Sequence, residues 1–250
     1  MVHRRGGPCL LVLLGLWLTA VPAIAEVTAS GATAAECVVL LHGLGRTERS
    51  MRPLGRKLSA AGYLIVNEGY PSRDHDIAAL TPLAIEPALA RCRARRAARI
   101  HFVTHSLGGI LVRHYLAGES VDELGRVVML APPNQGSEVV DALRNTPGFG
   151  LVNGKAGFEL GTDERSVPRR LGPADFDVGV IAGTRSINLW LSRFLPNPDD
   201  GKVSAASARL EGMRDFLLVP HSHPFVMRRK AVINQVLHYL EHGAFRRDAL

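Results

Sequence analysis

Four short stretches carry residue types that can do covalent chemistry together. Residues 104 to 109 read THSLGG directly after the apolar run RIHFV, so Ser106 stands where a strand turns into a helix. Such a turn exposes a serine oxygen at the strand end and aims helix N-terminal amides at it. A lone serine is an ordinary hydroxyl; a nucleophile needs a base, an acid that orients the base, and donors for the developing oxyanion. PNPDDGKVS places Asp199 and Asp200 in a turn, and HSHPF supplies His221 and His223. LLHGLG makes a glycine-rich turn where the amide of Leu44 can pair with that of Leu107, each donor contributing roughly 3 kcal/mol to oxyanion stabilisation in well-studied sites. The chemistry these residues support is nucleophilic acyl transfer through a covalent intermediate, with no metal or organic cofactor. HSH also resembles a chelating pair, but no further Cys or His cluster completes a zinc set.

Six apolar runs must carry these residues: CVVLLHG (37–43), YLIVNEG (63–69), RIHFVTHS (99–106), RVVMLAPP (126–133), VGVIAGT (178–184) and DFLLVP (215–220). They are rich in Val, Ile and Leu without strict alternation, as in strands covered on both faces. Amphipathic segments at 50–61, 76–97, 107–118, 203–213 and 224–242 read as the intervening helices. This alternation predicts one α/β domain, a parallel sheet with helices on both faces. Serine, acid and histidine then all fall at the carboxyl edge of the sheet. Residues 142–176, with six glycines and three prolines, are long for a crossover loop. They fit either a lid or substrate-side wall, or a passive surface excursion.

The motifs VVLLHGLGRT, VTHSLGGILVR, APPNQGSE, DDGKVSAASARLEGM and VPHSHPFVM together resemble the α/β-hydrolase superfamily, lipase and esterase type, across nearly all of the chain after residue 25. The resemblance implies an α/β-hydrolase fold of about six mostly parallel strands. It assigns the triad to Ser106, Asp200 and His223, with Asp199 and His221 as second choices, and implies a lipidic or small-molecule ester as substrate. Thioesterase, amidase, acyltransferase and a non-catalytic envelope binding protein remain alternatives on the same fold. Thr104 departs from the family's G-x-S-x-G, because a β-branched residue replaces the first glycine and is expected to crowd the turn against Gly108.

The chain of 250 residues begins with Arg4 and Arg5, an apolar run from Cys9 to Val21, and Ala23-Ile24-Ala25. This is the pattern of a secretory leader, residues 1–25, cut after Ala25. An uncleaved membrane anchor is the alternative, but the run is short for a spanning helix. The expected location is periplasmic or secreted, where a Cys37 to Cys92 disulfide can persist; two buried free thiols are the alternative. Both cysteines belong at the sheet end opposite the serine. Loss of Arg4 and Arg5 lowers the formal charge from +7 to +5, too mild for a nucleic-acid binder. RCRARRAAR (91–99) reads as a solvated helix end, with peripheral contact to anionic membrane lipid as the other reading. His105 reads as a packed residue of the elbow, and oligomeric state is not encoded in any of these patterns.

Overall fold

A computed structural model describes residues 35–247, together with residues 1–3 and Gly7. The expected leader therefore falls almost entirely outside the described residues. Six strands form one sheet, β1 (Glu36–Leu41), β2 (Leu64–Glu68), β3 (Arg99–His105), β4 (Leu124–Leu130), β5 (Val178–Gly183) and β6 (Asp215–Val219), in the order β2-β1-β3-β4-β5-β6. Every neighbouring pair is parallel, so the sheet is wholly rather than mostly parallel. Among the described residues eight helices surround it: α1 (Arg52–Ala60), α2 (Ile77–Ala94), α3 (Leu107–Leu116), α4 (Glu138–Leu143), α5 (Phe149–Phe158), α6 (Val167–Arg170), α7 (Leu189–Ser192) and α8 (Lys230–His242).

The apolar runs lack alternation because both faces are covered. Cys37, Val39 and Leu41 of β1 enter one core with Ile77, Leu80 and Ile85 of α2 and Ile110 of α3. Val38 and Leu40 point the opposite way, into a second core with Leu54 and Leu58 of α1 and Val232 and Val236 of α8. Side chains alternate across a strand, so a strand sandwiched between helix layers must be apolar at every position.

The strand order fixes where a site can form. From β1 the chain steps outward to β2 and then crosses back to β3, so connections diverge between β1 and β3 and leave a crevice beyond their carboxyl ends. Leu44 follows β1 and Ser106 follows β3. At the opposite edge Cys37 and Cys92 form a disulfide with Cα atoms 5.8 Å apart.

Two expectations need correction. Residues 203–213 form turns, not a helix. Their polar groups are captured by residues 134–138: Asn134 Nδ2 donates to Ala208 O at 2.9 Å, Gln135 N to Ser207 O at 2.8 Å, and Ser207 Oγ to Glu138 at 2.9 Å. The last helix starts at Lys230 rather than 224, after a 3-10 turn at Val226–Arg228; Pro224 disfavours helical geometry at the histidine before it. The long interval 142–176 is not structureless. It holds α5, broken at Gly154 (φ 63°), and α6, while α4 overlaps its start.

Candidate active site

Ser106 sits at φ 52°, ψ −120°, a conformation that L-residues rarely adopt, and one that costs about 1–3 kcal/mol unless its surroundings enforce it. The enforcement is visible on three sides. Ser106 N donates to Leu130 O at 2.9 Å on the neighbouring strand, and Gly109 N donates to Ser106 O at 3.0 Å. A side chain on Gly108 would meet Leu41 O at 2.8 Å and His42 O at 2.9 Å, so α3 can lie against β1 only with glycine there. A side chain on Gly43 would meet His105 Nδ1 at 2.7 Å and Ser106 Cβ at 3.1 Å. The turn after β1 is thus packed directly against the serine.

Thr104 behaves differently from expectation. It is fully buried, and its Oγ1 lies 3.2 Å from where a side chain on Gly109 would begin, whereas the atoms nearest to Gly108 belong to Leu41 and His42. The threonine therefore crowds the second glycine of the helix and leaves the first to β1. Its hydroxyl has no hydrogen-bond partner among the described residues.

The acid and the base meet as a pair. His223 Nδ1 lies 2.8 Å from Asp200 Oδ2, and His223 N also donates to Asp200 O at 3.0 Å. Asp200 Oδ1 accepts from Lys202 N at 2.9 Å and Val203 N at 2.8 Å, so the carboxylate is held from both ends. Asp199 faces away: its Oδ1 accepts from Ser192 Oγ and Gly201 N, each at 2.7 Å. His223, rather than His221, contacts Asp200. Ser106 and His223 line the same cavity without a direct hydrogen bond between their side chains among the described contacts; such bonds are often long before substrate binds. The amides of Leu44, in the turn after β1, and of Leu107, directly after Ser106, have no acceptor among the described residues.

His105 does more than fill space. It is buried, its Nε2–H donates to His223 O at 3.0 Å, and its ring lies 4.8 Å from that of His223. Burial first, then the neighbouring His223 and Arg46, hold its pKa well below the ordinary 6.5, so it stays a neutral donor that positions the His223 backbone. His42 plays a parallel part in the glycine-rich turn. Its ring stacks on Tyr70 at 4.1 Å, the Tyr70 hydroxyl donates to His42 O, and burial lowers its pKa. No sequence signal distinguishes either histidine from ordinary core filling, because the information lies in contacts between distant segments.

The cavity at this edge has a volume of about 880 Å³. One wall is apolar and comes from the interval after β4, through Val139, Val140 and Leu143 around α4, and Phe149 and Val152 of α5. That wall is fastened by Arg113, a buried cation of α3 whose guanidinium donates to the carbonyls of Asn134 (2.9 Å), Pro168 (3.2 Å) and Gly172 (2.8 Å); burial lowers its pKa to about 10. The interval is a cavity wall in this structure.

Residues 38–243 match the model of the alpha/beta hydrolase family. Among solved structures, the chain is similar to the mature lipase BlEst2 of Bacillus licheniformis, with TM-score 0.63 and 17% identity over 83% of this chain and 93% of that one. It is also similar to the phospholipase PlaB of Legionella pneumophila, with TM-score 0.66 and 17% identity over 86% of this chain and 61% of that one. A carboxyl esterase of metagenomic origin gives TM-score 0.62 and 19% identity over 84% and 76% of the two chains. At these identities the likeness is one of fold. A comparison with curated proteins gave no match.

Proposed function

We propose, from the premise that this chain belongs to the alpha/beta hydrolase family, that it is an exported serine hydrolase of carboxylic esters. The observation that carries the proposal is the convergence of Ser106, the Asp200–His223 pair and Leu44 on one cavity from four separate loops, with the Leu107 amide directly after the serine. Export is supported by the bonded Cys37 and Cys92, since disulfides persist in oxidising compartments.

In this mechanism Ser106 Oγ attacks the ester carbonyl while His223 Nε2 takes its proton. Asp200 holds the imidazole with Nδ1–H toward the carboxylate, which leaves Nε2 free to accept and stabilises the imidazolium that forms. The carbonyl oxygen becomes negative as the tetrahedral intermediate forms, and the two amides hydrogen-bond it. The intermediate collapses to an acyl-Ser106, and the alkoxide departs with the proton from His223. Water then attacks the acyl-enzyme, gives its proton to His223, and releases the carboxylic acid and the serine. The apolar wall from α4 and α5 suits the acyl chain of a lipidic or small ester.

Labelling by a fluorophosphonate tests this directly. Adduct on Ser106, lost in Ser106→Ala and reduced in His223→Ala, is the expected result; a folded, unlabelled protein rejects the proposal. A p-nitrophenyl ester series of increasing chain length, with a thioester control, then measures acyl and leaving-group preference.

A further inference from the structure

The polar half of the cavity is unbalanced in charge. Arg46, Arg73 and Lys202 line it, and Asp200 is the only carboxylate among the lining residues. Asp200 is committed to His223 and to two backbone amides. None of the three cations forms an ion pair among the described residues, although arginines elsewhere on the molecule do, as Arg126 and Arg214 do with Asp177.

Two of these cations are held where they act on the site. Arg46 closes the turn that carries Leu44, its N donating to Gly43 O at 3.2 Å. Lys202 follows Asp200 directly through Gly201, with its N bonded to that carboxylate and its carbonyl accepting from Ser137 Oγ at 2.7 Å. They come from loops after β1 and β5 and line the same cavity as Ser106, where Lys202 feels Arg46. Partial burial first, and then Arg46, lower the Lys202 pKa, opposed only by Asp200; burial and then Arg228 lower that of Arg46. Bringing a half-buried Arg46 and an exposed Lys202 to one cleft without an acid between them is unfavourable in the empty protein. An anion placed between them removes that repulsion and gains two charge-assisted contacts.

We propose that the cavity takes an acyl ester bearing an anionic group, phosphate or carboxylate, close to the scissile bond, with Arg46 and Lys202 as the anion clamp and Arg73 at the rim. This rests on the ester-hydrolase proposal and specifies its substrate class. The acyl chain lies against Val139, Leu143 and Phe149, and the anion lies toward the loops after β1 and β5.

The test uses matched pairs that differ in charge: 4-butyryloxybenzoate against its methyl ester, and dihexanoyl phosphatidylglycerol against dihexanoylglycerol, both below micelle formation. The expected result is a preference for the charged member of about tenfold or more in kcat/KM, the scale of one added ion contact in a half-buried site. The ratio of rates collapses toward one in Arg46→Gln and Lys202→Gln, survives in Arg46→Lys, and inverts in Lys202→Glu. Preference in the lipid pair alone assigns the anion to a phospholipid headgroup; preference in both assigns the shared anionic chemistry. Equal rates within both pairs, or a preference that survives Arg46→Gln and Lys202→Gln, overturn the inference and leave the ester hydrolase standing. Calorimetry of phenyl phosphate with Ser106→Ala protein needs no turnover. Binding lost in Lys202→Gln supports the clamp even if fluorophosphonate labelling fails, and an absence of binding overturns it.

Discussion

The two ends of the parallel sheet are made of the same residue types and differ in how they hold charge. At the amino end His101 meets Glu36, Arg93 meets Glu123, Arg126 and Arg214 share Asp177, and Arg247 meets Asp215. The Cys37–Cys92 bond ties β1 to α2 at that same end. At the carboxyl end Arg46 and Lys202 face a cavity without acids of their own, and Ser106 is held in a strained backbone geometry. One end pairs many of its charges and is cross-linked; the cavity at the other keeps two cations without ion pairs and a strained serine in place by packing around them. Stability and function are thus separated along the strand axis. Substitutions at the amino end should move stability and spare catalysis, and substitutions at the carboxyl edge should do the reverse.

The largest expected break in that comparison is at the serine. Ser106→Ala should lower kcat on any ester substrate by about 10⁴-fold or more, as loss of a triad nucleophile does, while the melting temperature holds, because alanine keeps the same Cβ and the same backbone strain at this turn. At the other end, the double change Cys37→Ala/Cys92→Ala removes a cross-link spanning 55 residues. It should destabilise by roughly 2–4 kcal/mol in denaturant titration and leave kcat/KM unchanged; a lost activity would show that the two ends are coupled. Gly108→Ala sharpens the picture, because the added carbon meets backbone oxygens that cannot swing aside. Destabilisation of about 1–3 kcal/mol together with loss of fluorophosphonate labelling is expected.

Acid should weaken the carboxyl end through His105. Its folded pKa lies below the ordinary 6.5, so in the unfolded chain it binds a proton that the folded protein refuses. Stability is fully present above pH 6.5 and is lost as pH falls beneath it, by about 1 kcal/mol over the first unit. His105→Gln should flatten that part of the pH–stability curve. The smallest effect belongs to Arg93→Gln at the amino end, where an exposed ion pair with Glu123 is worth at most about 1 kcal/mol and less in high salt.

The strands and the acid–base pair were legible in the sequence for related reasons. A strand buried on both faces must be apolar throughout, as VVLL and VGVIAG are, and crossover connections return chemistry to one edge, so THSLGG, DDG and HSHPF could be placed together from chain order alone. Residues 203–213 misled because alanine-rich sequence carries helix propensity, whereas its hydrogen bonds go to Asn134, Gln135 and Glu138 across a long sequence separation. Thr104 was legible as a crowded position but not in its partner, since which glycine it faces depends on how α3 leans on β1. The Arg46–Lys202 pair was invisible for the same reason. Both residues stand inside quoted motifs, VVLLHGLGRT and DDGKVSAASARLEGM, but carry no role there, and only the fold brings their loops to one cavity.

Arg113 has a practical consequence. Its guanidinium grips Asn134 on one side of the cavity-wall segment and Pro168 and Gly172 on the other. One side chain therefore marks both borders of an exchangeable cassette. A transplanted wall of different length and shape needs only to present carbonyl oxygens at those two borders to be docked, so the specificity of this scaffold can be re-engineered without touching the residues beneath it.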